Sequence, residues 1–362
     1  MSSGVSKLNT IPLTPATPTA SHTSSPLPMA SHTPVMVKEV VKMLSPHSKH
    51  VLLDLTFGGG GHTKALLEAV PGVRVVCLDR DPSVLTHVTT LQQMYPGRVL
   101  PLLGCFSDLP KLLTRLKIPG NSFDGVLMDL GASSMQFDNP ERGFMVSRDG
   151  PLDMRMDGNR VPGRATAADV LAHCNEVELY KVLKYYGEEK NARKIARALV
   201  ESRCLFRCPQ TTLELADLVA EVVGSDVRLD KLQRFAHPAT KTFQALRILV
   251  NNELNELDFA VRASHHYLRP GGLMVTLSFH SLEDTIIKRH ITGVDIDDTP
   301  KTIGLGLAKH RTSLSTYTSW EMEQLTAPRW CQLTRHVLLP TPDEVTANPR
   351  SRSAKLRAAK KL

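Results

Sequence analysis

Residues 51–62 read Val-Leu-Leu-Asp-Leu-Thr-Phe-Gly-Gly-Gly-Gly-His, an apolar run with one acidic residue followed by four glycines. A helix-like pattern covers residues 63–70, and a second apolar run ends at Asp79. This order of strand, glycine-rich turn, helix and strand is typical of the first half of a nucleotide-binding α/β domain. Glycines let the backbone pass close to a ligand, and the helix N-terminus presents free N–H groups to it.

The glycine spacing narrows the class of ligand. A dinucleotide-binding turn has a third glycine three residues after its second, and here Thr63 follows Gly60 at that position. The turn therefore fits a cofactor with adenosine and no pyrophosphate, of which S-adenosylmethionine (SAM) is the obvious one, and disfavours a nicotinamide oxidoreductase. Asp79 follows Gly58 by about 20 residues, where an acidic side chain reaches ribose hydroxyls. A plain tight turn is the alternative.

Composition sets the limits of the interpretation. The chain has 362 residues, 41% of them hydrophobic, enough for one large core or two domains. No apolar run approaches the ~18 residues that a membrane span needs. The six cysteines have neither disulfide-framework nor zinc-site spacing, which predicts reduced thiols and no metal centre. A net charge of +8 favours a polyanionic partner.

The first residues have a different composition from the rest. Ser, Thr, Pro and Ala dominate residues 1–31, and no acidic residue precedes Glu39. Such a segment cannot bury enough surface to fold, so we predict that it is disordered. An acid-free, hydroxyl-rich start is also typical of organelle transit peptides, although this one lacks the arginines that they carry.

Strand and helix patterns alternate along the chain. Buried strands are predicted at residues 51–56, 74–79, 99–103, 123–129 and 273–278, and helices at 36–44, 63–70, 82–94, 109–116 and 282–291. The stretch between the fourth and fifth strands is too long for a loop, and residues 166–206 and 211–223 have helical patterns. We therefore predict a doubly wound α/β sheet with an all-helical insert. One long helix over about 240–267 and antiparallel strands at 333–339 and 353–359 complete the prediction.

The fourth predicted strand ends at Asp129, within Leu127-Met-Asp-Leu-Gly-Ala-Ser-Ser-Met-Gln136. Open α/β sheets place their chemistry at the carboxyl ends of central strands, so Asp129 is a candidate catalytic residue. The alternative is a helix N-cap formed by Asp129 or by one of the serines.

Two further segments carry polar residues in patterns that suit a site. Residues 141–157, Glu-Arg-Gly-Phe-Met-Val-Ser-Arg-Asp-Gly-Pro-Leu-Asp-Met-Arg-Met-Asp, are too charged to pack as a helix, and a solvated loop is the alternative to a functional one. The fifth strand runs through Ser278-Phe-His-Ser-Leu-Glu-Asp284 into a helix. There His280 is either catalytic or a core histidine, and Ser281 with Asp284 fits a helix cap.

Read in order, these segments resemble the MraW/RsmH family of ribosomal RNA methyltransferases, and the two features that depart from compact bacterial members resemble its mitochondrial branch. The matching motifs are Asp54-x-Thr-Phe-Gly-x-Gly-Gly-His62, Leu78-Asp-Arg-Asp-Pro82, Asp129-Leu-Gly-x-Ser-Ser134, Glu141-Arg-Gly-Phe144, Arg148-Asp-Gly-Pro-Leu-Asp-Met-Arg-Met-Asp157, Tyr186-Gly-Glu-Glu189, Arg193-x-Ile-Ala-Arg-Ala198, His237-Pro-Ala-Thr-x-Thr-Phe-Gln244, Ser278-Phe-His-Ser-Leu-Glu-Asp284 and Asn348-Pro-Arg-Ser-Arg-Ser353. The departures are the Ser/Thr/Pro-rich start and residues 294–330. The resemblance implies methylation of the exocyclic N4 of a cytidine in small-subunit rRNA, with SAM as cofactor.

The resemblance also implies a fold and site residues. The fold is a class I SAM-methyltransferase (Rossmann-like) domain at residues 32–137 and 237–362, divided by an active-site loop and helical insert at 138–236. SAM-binding roles fall at the carboxyl ends of predicted strands: Gly60, Gly61 and His62 beside the methionine part, Asp79 at the ribose, Phe106 against the adenine, and Asp129 and Gln136 completing the pocket. The candidate catalytic residues are Asp129, Ser133 and His280, and no metal or cysteine nucleophile is predicted.

RNA contacts are expected from cations in the loop and in the insert. The candidates are Arg142, Arg155, Lys190, Arg193 and Arg197. At helical spacing Lys190, Arg193, Lys194 and Arg197 share one face, which suits a phosphate track, with an ordinary solvated face as the alternative.

Other functions remain open at this point. A methyltransferase acting on amino groups of DNA usually carries a Pro-Pro-aromatic motif after the fourth strand, where Leu130-Gly-Ala stands here. An RNA-binding ribosome-assembly factor without activity is disfavoured by the intact glycine-rich and Asp129 motifs. The expected partners are small-subunit rRNA or the assembling subunit, with an assembly protein as a further candidate and no membrane. The expected location is the mitochondrial matrix, with the cytoplasm as the alternative.

Overall fold

The computed structural model describes residues 33–205, 207–224, 237–293 and 328–362. Its strands are β1 (Val51–Asp54), β2 (Arg74–Asp79), β3 (Val99–Leu103), β4 (Phe123–Asp129), β5 (Leu268–Ser278), β6 (Trp330–Gln332) and β7 (Lys355–Lys361). Its helices are α1 (Val37–Leu44), α2 (Gly61–Ala69), α3 (Leu85–Met94), α4 (Leu109–Arg115), α5 (Ser134–Asp138), α6 (Ala167–His173), α7 (Glu176–Tyr185), α8 (Ala192–Leu205), α9 (Thr212–Val223), α10 (Thr240–Asn251), α11 (Glu253–Tyr267), α12 (Ser281–Thr292) and α13 (Pro342–Ala347).

All seven strands form one sheet, in the order β3-β2-β1-β4-β5-β7-β6. The first five are parallel, whereas β7 lies between β5 and β6 and runs antiparallel to both. Because β2 and β3 extend from one side of β1 and β4 from the other, the strand order reverses between β1 and β4. Ligands of open α/β sheets bind at the carboxyl ends of the strands beside such a reversal. The predicted doubly wound sheet is confirmed.

The sheet belongs to the first of two compact units, which comprises residues up to Asp79, Ser83–Leu130 and Glu256–Leu362. All four residues of β1 are buried, as expected for a parallel strand covered on both faces. The core of this unit also contains Leu78, Phe123 and Met128 from the neighbouring strands. Leu109 and Leu113 join it from one face of α4. Apolar residues at these strand and helix positions therefore fix the sheet that carries the candidate site.

The second unit comprises Arg80–Pro82 and Gly131–Asn255, and it contains helices α5 to α10. Reciprocal caps set where α6, α7 and α9 begin, through Thr166 with Asp169, Asn175 with Glu178, and Thr211 with Glu214. The buried leucines of α6 and α7 pack with those of α9 and α10. The predicted helical insert is confirmed, and α10, which follows it in sequence, belongs to the same unit.

Three details of the prediction are wrong. The single helix over 240–267 is two helices, because Asn252 adopts a left-handed conformation (φ 51°) that interrupts the ladder. Leu333–Leu339 do not form a strand: only Leu338 bridges Leu356, and the strand beside β7 is Trp330–Gln332. The strand predicted at 353–359 begins later, since Pro349–Ser353 form a 3₁₀ helix.

Two other expectations concern the surroundings of the fold. Residues 1–31, predicted to be disordered, lie outside the described residues. Within the described part of the chain, every helix is too short or too polar to cross a bilayer.

Candidate active site

The loop between β1 and α2 is held from below by one buried carboxylate. Asp54 accepts hydrogen bonds from the backbone N–H of Thr56 at 3.1 Å and from the hydroxyl of Thr63 at 2.7 Å, and so it ties both ends of the loop to β1. Burial raises the pKa of the Asp54 carboxyl, and those two hydrogen bonds oppose the rise. Gly58 and Gly60 have positive φ angles of 52° and 77°, which glycine adopts without strain.

The glycines differ in what surrounds them. A Cβ on Gly60 would lie 2.7 Å from the Phe57 ring, and one on Gly61 would lie 2.4 Å from Pro34. At Gly59, by contrast, a Cβ would meet no atom within 4 Å. Gly60 and Gly61 are therefore required by packing inside the protein, and the open side of the loop lies at Gly59, which the sequence interpretation left out.

Pro34 belongs to a short segment, residues 33–36, that a distant part of the chain holds in place. The backbone N–H of Met36 donates to Glu344 Oε1 at 2.5 Å, and the Asn348 side chain donates to the Thr33 carbonyl at 3.0 Å. Met36 is buried and has a positive φ of 50°. Residues from α13 and just after it thus fix the segment that covers Gly61.

Acidic and aromatic residues follow the next two strands. Asp79 ends β2, and its Oδ2 accepts a 2.7 Å hydrogen bond from the backbone N–H of Gly58. Asp79 also lies opposite Leu103 at the end of β3, after which Phe106 begins a 3₁₀ helix and is half-buried. Asp79 and Phe106 therefore follow adjacent strand ends, and the Asp79 carboxylate is fixed against the glycine loop.

Asp129 and His62 form a polar pair above the sheet. Asp129 ends β4, and its backbone N–H donates to the Thr56 hydroxyl at 2.6 Å. Its Oδ2 lies 3.4 Å from Nε2 of His62, which is buried in the first turn of α2. Both ring nitrogens of His62 and Oδ1 of Asp129 are buried and have no hydrogen-bond partner in the described part of the chain. Such atoms are costly to leave unsatisfied, so they point to a polar ligand.

These observations test whether SAM suits the site. The loop is open at Gly59, the α2 N-terminus lies beside it, and an acid follows β2. Unpartnered polar atoms of His62 and Asp129 are available for an amino-acid moiety or a substrate amine. The residues therefore fit a cofactor with a ribose and a methionine part.

Ser133 and Gln136, in the second unit, have structural partners. Ser133 caps α5 by accepting from the Gln136 N–H at 3.3 Å, while Gln136 Oε1 accepts from the Ser133 N–H at 3.0 Å. The Gln136 amide also donates to Asp81 at 2.8 Å and to the Met156 carbonyl at 3.0 Å. The helix-cap alternative thus describes Ser133, and Gln136 is fixed by buried hydrogen bonds.

His280, in the first unit, is the N-cap of α12. Its Nδ1 accepts from the Glu283 N–H at 3.4 Å, and its Nε2 lies 3.0 Å from Glu283 Oε1. The cap is therefore His280 with Glu283, one residue earlier than the expected Ser281 with Asp284. The catalytic roles of Ser133 and His280 stay predictions.

The two candidate arginines of the 141–164 loop bind within their own unit. Arg142 donates to Asp81 at 2.7 Å and to the carbonyls of Arg155 and Met156. Arg155 pairs with both oxygens of Asp153, at 2.8 and 2.6 Å. Their assignment to RNA stays a prediction, and each guanidinium already has a carboxylate partner.

The candidate cations of the insert are exposed. Arg193, Lys194 and Arg197 lie on the outer side of α8, whereas Lys190 lies in the turn before it. The expectation that all four share one helix face is therefore wrong for Lys190.

A mixed sheet of this strand order, with a glycine loop after β1, an acid ending β2 and an acid ending β4, defines a class I SAM-dependent methyltransferase. Residues 29–362 match the MraW methylase family, and the chain belongs to that family. The resemblance drawn from the sequence motifs is confirmed.

Similar proteins come from insects and vertebrates. The chain is 50% identical to a methyltransferase-like protein 15 homolog of Drosophila melanogaster, over 92% of this chain and 93% of that protein. It is 46% identical to the human 12S rRNA N(4)-cytidine methyltransferase METTL15, over 91% of this chain and 83% of that protein. It is also 50% identical to part of a Culex quinquefasciatus protein named as a receptor-type tyrosine-protein phosphatase, mosPTP-1, covering 90% of this chain and 22% of that protein.

Proposed function

We propose that the protein transfers the methyl group of SAM to the exocyclic N4 of a cytidine in small-subunit rRNA. The main observation behind this proposal is the position of the Asp129 carboxylate at the end of β4. Its Oδ2 lies 3.4 Å from Nε2 of buried His62, and its Oδ1 has no hydrogen-bond partner among the described residues. Membership of the MraW methylase family and similarity to a protein named 12S rRNA N(4)-cytidine methyltransferase support the choice of substrate.

The chemistry of the acceptor explains what Asp129 does. The N4 lone pair of cytosine is delocalised into the ring, so the amine is a poor nucleophile. The Asp129 carboxylate accepts a hydrogen bond from the amine, favours a pyramidal nitrogen, holds it in line for attack and takes up the proton that the nitrogen loses on methylation. When bound, SAM supplies an electrophilic methyl group on a sulfonium. Alignment of this kind can contribute roughly 7–11 kcal/mol to lowering the barrier.

The other site residues are proposed to bind and orient SAM. Asp79, which Gly58 fixes, would accept from the ribose hydroxyls, and Phe106 would lie against the adenine. Gly60, Gly61 and His62 would present the α2 N-terminus to the methionine carboxylate, because free N–H groups and the helix dipole favour an anion. Gln136 acts by holding its own loop, because its amide is bound to Asp81 and Met156.

The proposal is tested with the Asp129→Asn variant, which keeps the shape of the side chain and removes its charge. We expect turnover to fall by at least a hundredfold at saturating SAM, in line with the size of general-base effects, while the unfolding midpoint changes little. Mass spectrometry of rRNA from cells that carry the wild type, the variant or no gene identifies the modified nucleotide. Wild-type turnover by Asp129→Asn would contradict the role of this carboxylate.

We also propose that the protein acts in mitochondria, on an assembling ribosomal subunit. The name of the human relative specifies a 12S rRNA, and residues 1–31 have a hydroxyl-rich composition without acids. Residues 1–35 fused to a fluorescent protein test the location: we expect a mitochondrial signal, and a diffuse cytosolic signal would contradict targeting by this segment.

A further inference from the structure

The outer face of α7 carries two lysines between two exposed apolar side chains. Val177 and Tyr185 are large hydrophobic side chains, and they are 60% and 65% exposed. Lys181 and Lys184 lie between them and are exposed. Positions i, i+4, i+7 and i+8 lie on one side of a helix, so the four residues form one surface. The opposite side of α7 contributes Leu179 and Leu183 to the core.

Cations of α8 extend this surface. The Arg193 guanidinium lies over the ring of Tyr180, 5.3 Å from its centroid, and so it is placed against α7. Tyr180 is one turn before Lys184 on the same helix, which brings Arg193 beside the lysine-bearing face. Lys190 and Lys194 are exposed and flank Arg193 in sequence. We call the set Lys181, Lys184, Tyr185, Lys190, Arg193 and Lys194 the α7–α8 surface.

The charges on these two helices are separated along their length. The acids Glu176 and Glu178 lie at the start of α7, and Glu178 caps the helix by accepting from Asn175. Arg197 belongs to this acidic end: a hydrogen bond from its guanidinium to Glu201, and then the charges of Glu201 and Glu176, raise its pKa. Within the described residues, Lys181 and Lys184 form no ion pair. The positive charge that these acids do not balance therefore lies at the end of α7 that carries Tyr185. The turn after α7 contributes one exposed acid, Glu188.

We propose that the α7–α8 surface binds a single-stranded RNA segment, with a base stacked on Tyr185 and phosphates held by the surrounding cations. This inference rests on the proposed function and extends it to how the substrate is held. An exposed aromatic ring among cations is the combination that binds unpaired nucleotides, because every base has a face that can stack and every linkage carries a charge. The Arg197 end, which the sequence assigned to RNA, contributes less because its charge is already paired.

The composition of the surface favours RNA over a protein partner. Protein interfaces are depleted in lysine at their centres, and here lysines separate the two apolar side chains. Tyr185 and Val177 alone are too little apolar area for a docking site. A duplex is disfavoured as well, because its bases are already stacked and cannot cover the ring.

The test uses the full-length protein and a fluorescein-labelled single-stranded RNA that carries the cytidine methylated by the wild type. We expect Tyr185→Ala to weaken binding about tenfold at constant salt, the size of losing one base–aromatic stack. Tyr185→Phe should bind like the wild type, because it keeps the ring. The double variant Lys181→Gln and Lys184→Gln should instead lower the salt dependence of the affinity. Tyr95→Ala, which removes a tyrosine of the first unit, is the matched control.

The outcomes separate this inference from the proposed function. Calorimetry should give unchanged SAM affinity in every α7 variant, which excludes a general loss of folding. If the wild type methylates the RNA and Tyr185→Ala binds it equally well, the α7–α8 surface is wrong and the proposed function stands. Equal losses with Tyr185→Ala and Tyr185→Phe would also contradict stacking. If the wild type does not bind this single-stranded RNA, the α7–α8 surface is wrong, and the proposed function falls only if mass spectrometry finds the rRNA of wild-type cells unmethylated.

Discussion

The glycine loop of the first unit and the charged loop of the second unit are held in opposite ways. Residues 55–60 are tied down mainly by neutral donors, with Thr56 and Thr63 both bonding to the single buried carboxylate of Asp54. Residues 141–164 are tied down by guanidinium groups that converge on buried acids. Glycines leave the first loop open to a ligand, whereas in the second loop arginine side chains are paired with buried acids of the same unit.

Asp157 is the centre of the second arrangement. Its side chain is 0% exposed, and Arg164 lies 2.8 Å from its Oδ2. Arg80 and Arg160 each lie 3.6 Å from the same oxygen. Nearby, Asp81 accepts from Arg142 and Gln136 in the same way. A run of arginines in a loop therefore does not by itself indicate a nucleic-acid contact, because here the acids between them take up the charge.

The largest effect is expected for Asp157→Asn. The variant leaves several partly buried guanidinium groups without their counter-charge, and breaking a buried pair in this way costs about 3–5 kcal/mol. Urea denaturation should show a free energy of unfolding lowered by about that amount. Asp153→Asn, which breaks the more exposed pair with Arg155, is the control and should cost much less. Equal stability of the two variants would contradict a central role for Asp157.

A smaller effect, confined to cofactor binding, is expected for Asp79→Ala in the glycine-loop region. Two charge-assisted bonds to a ribose, each worth ~1.5–3 kcal/mol, are lost, so SAM affinity should fall by at least about a hundredfold by calorimetry. Asp79→Asn keeps an acceptor for the Gly58 N–H, so its SAM affinity should lie between those of the wild type and Asp79→Ala. If Asp79→Ala binds SAM like the wild type, the proposed position of the ribose is wrong.

The smallest effect is a pH dependence of stability that arises at the glycine loop. Burial raises the folded-state pKa of Asp54 above its ordinary value of 3.8. The stabilisation from holding that proton is complete below pH 3.8 and is lost as the pH rises through the folded-state pKa. Asp54→Asn removes this loss and keeps a hydrogen-bonding group, so its stability relative to the wild type should increase as the pH rises above about 4. Parallel stability curves from pH 4 to 7.5, measured by urea denaturation, would contradict the raised pKa.

Much of the first unit can be predicted from the sequence because its signals are local. Buried parallel strands are continuous apolar runs, so β2, β3 and β4 lie where the pattern places them. The motif from Asp54 to His62 likewise contains the loop and Thr56, and Thr63, the second threonine that binds Asp54, follows it directly.

The rest depends on partners that are distant in sequence. Asp81 lies 61 residues from Arg142, and nothing in either motif shows that they meet. The cap predicted at Ser281 with Asp284 lies one residue earlier, at His280 with Glu283, because serine is a common N-cap residue and histidine is not. The helix break at Asn252 was not predicted because apolar residues continue at helical spacing on both sides of it. Long-range pairing and single left-handed residues are therefore the main sources of error.

The segment over the glycine loop has a consequence for the order in which the protein matures during synthesis. Met36 is made early, but Glu344, which fixes it, follows 308 residues later. At ~5–20 residues per second, translation alone separates the two by roughly 15–60 s. During that interval Pro34 has no anchor over Gly61, and β7 has not yet entered the sheet between β5 and β6. The glycine loop therefore reaches the form described here only after α13 has been made, late in synthesis.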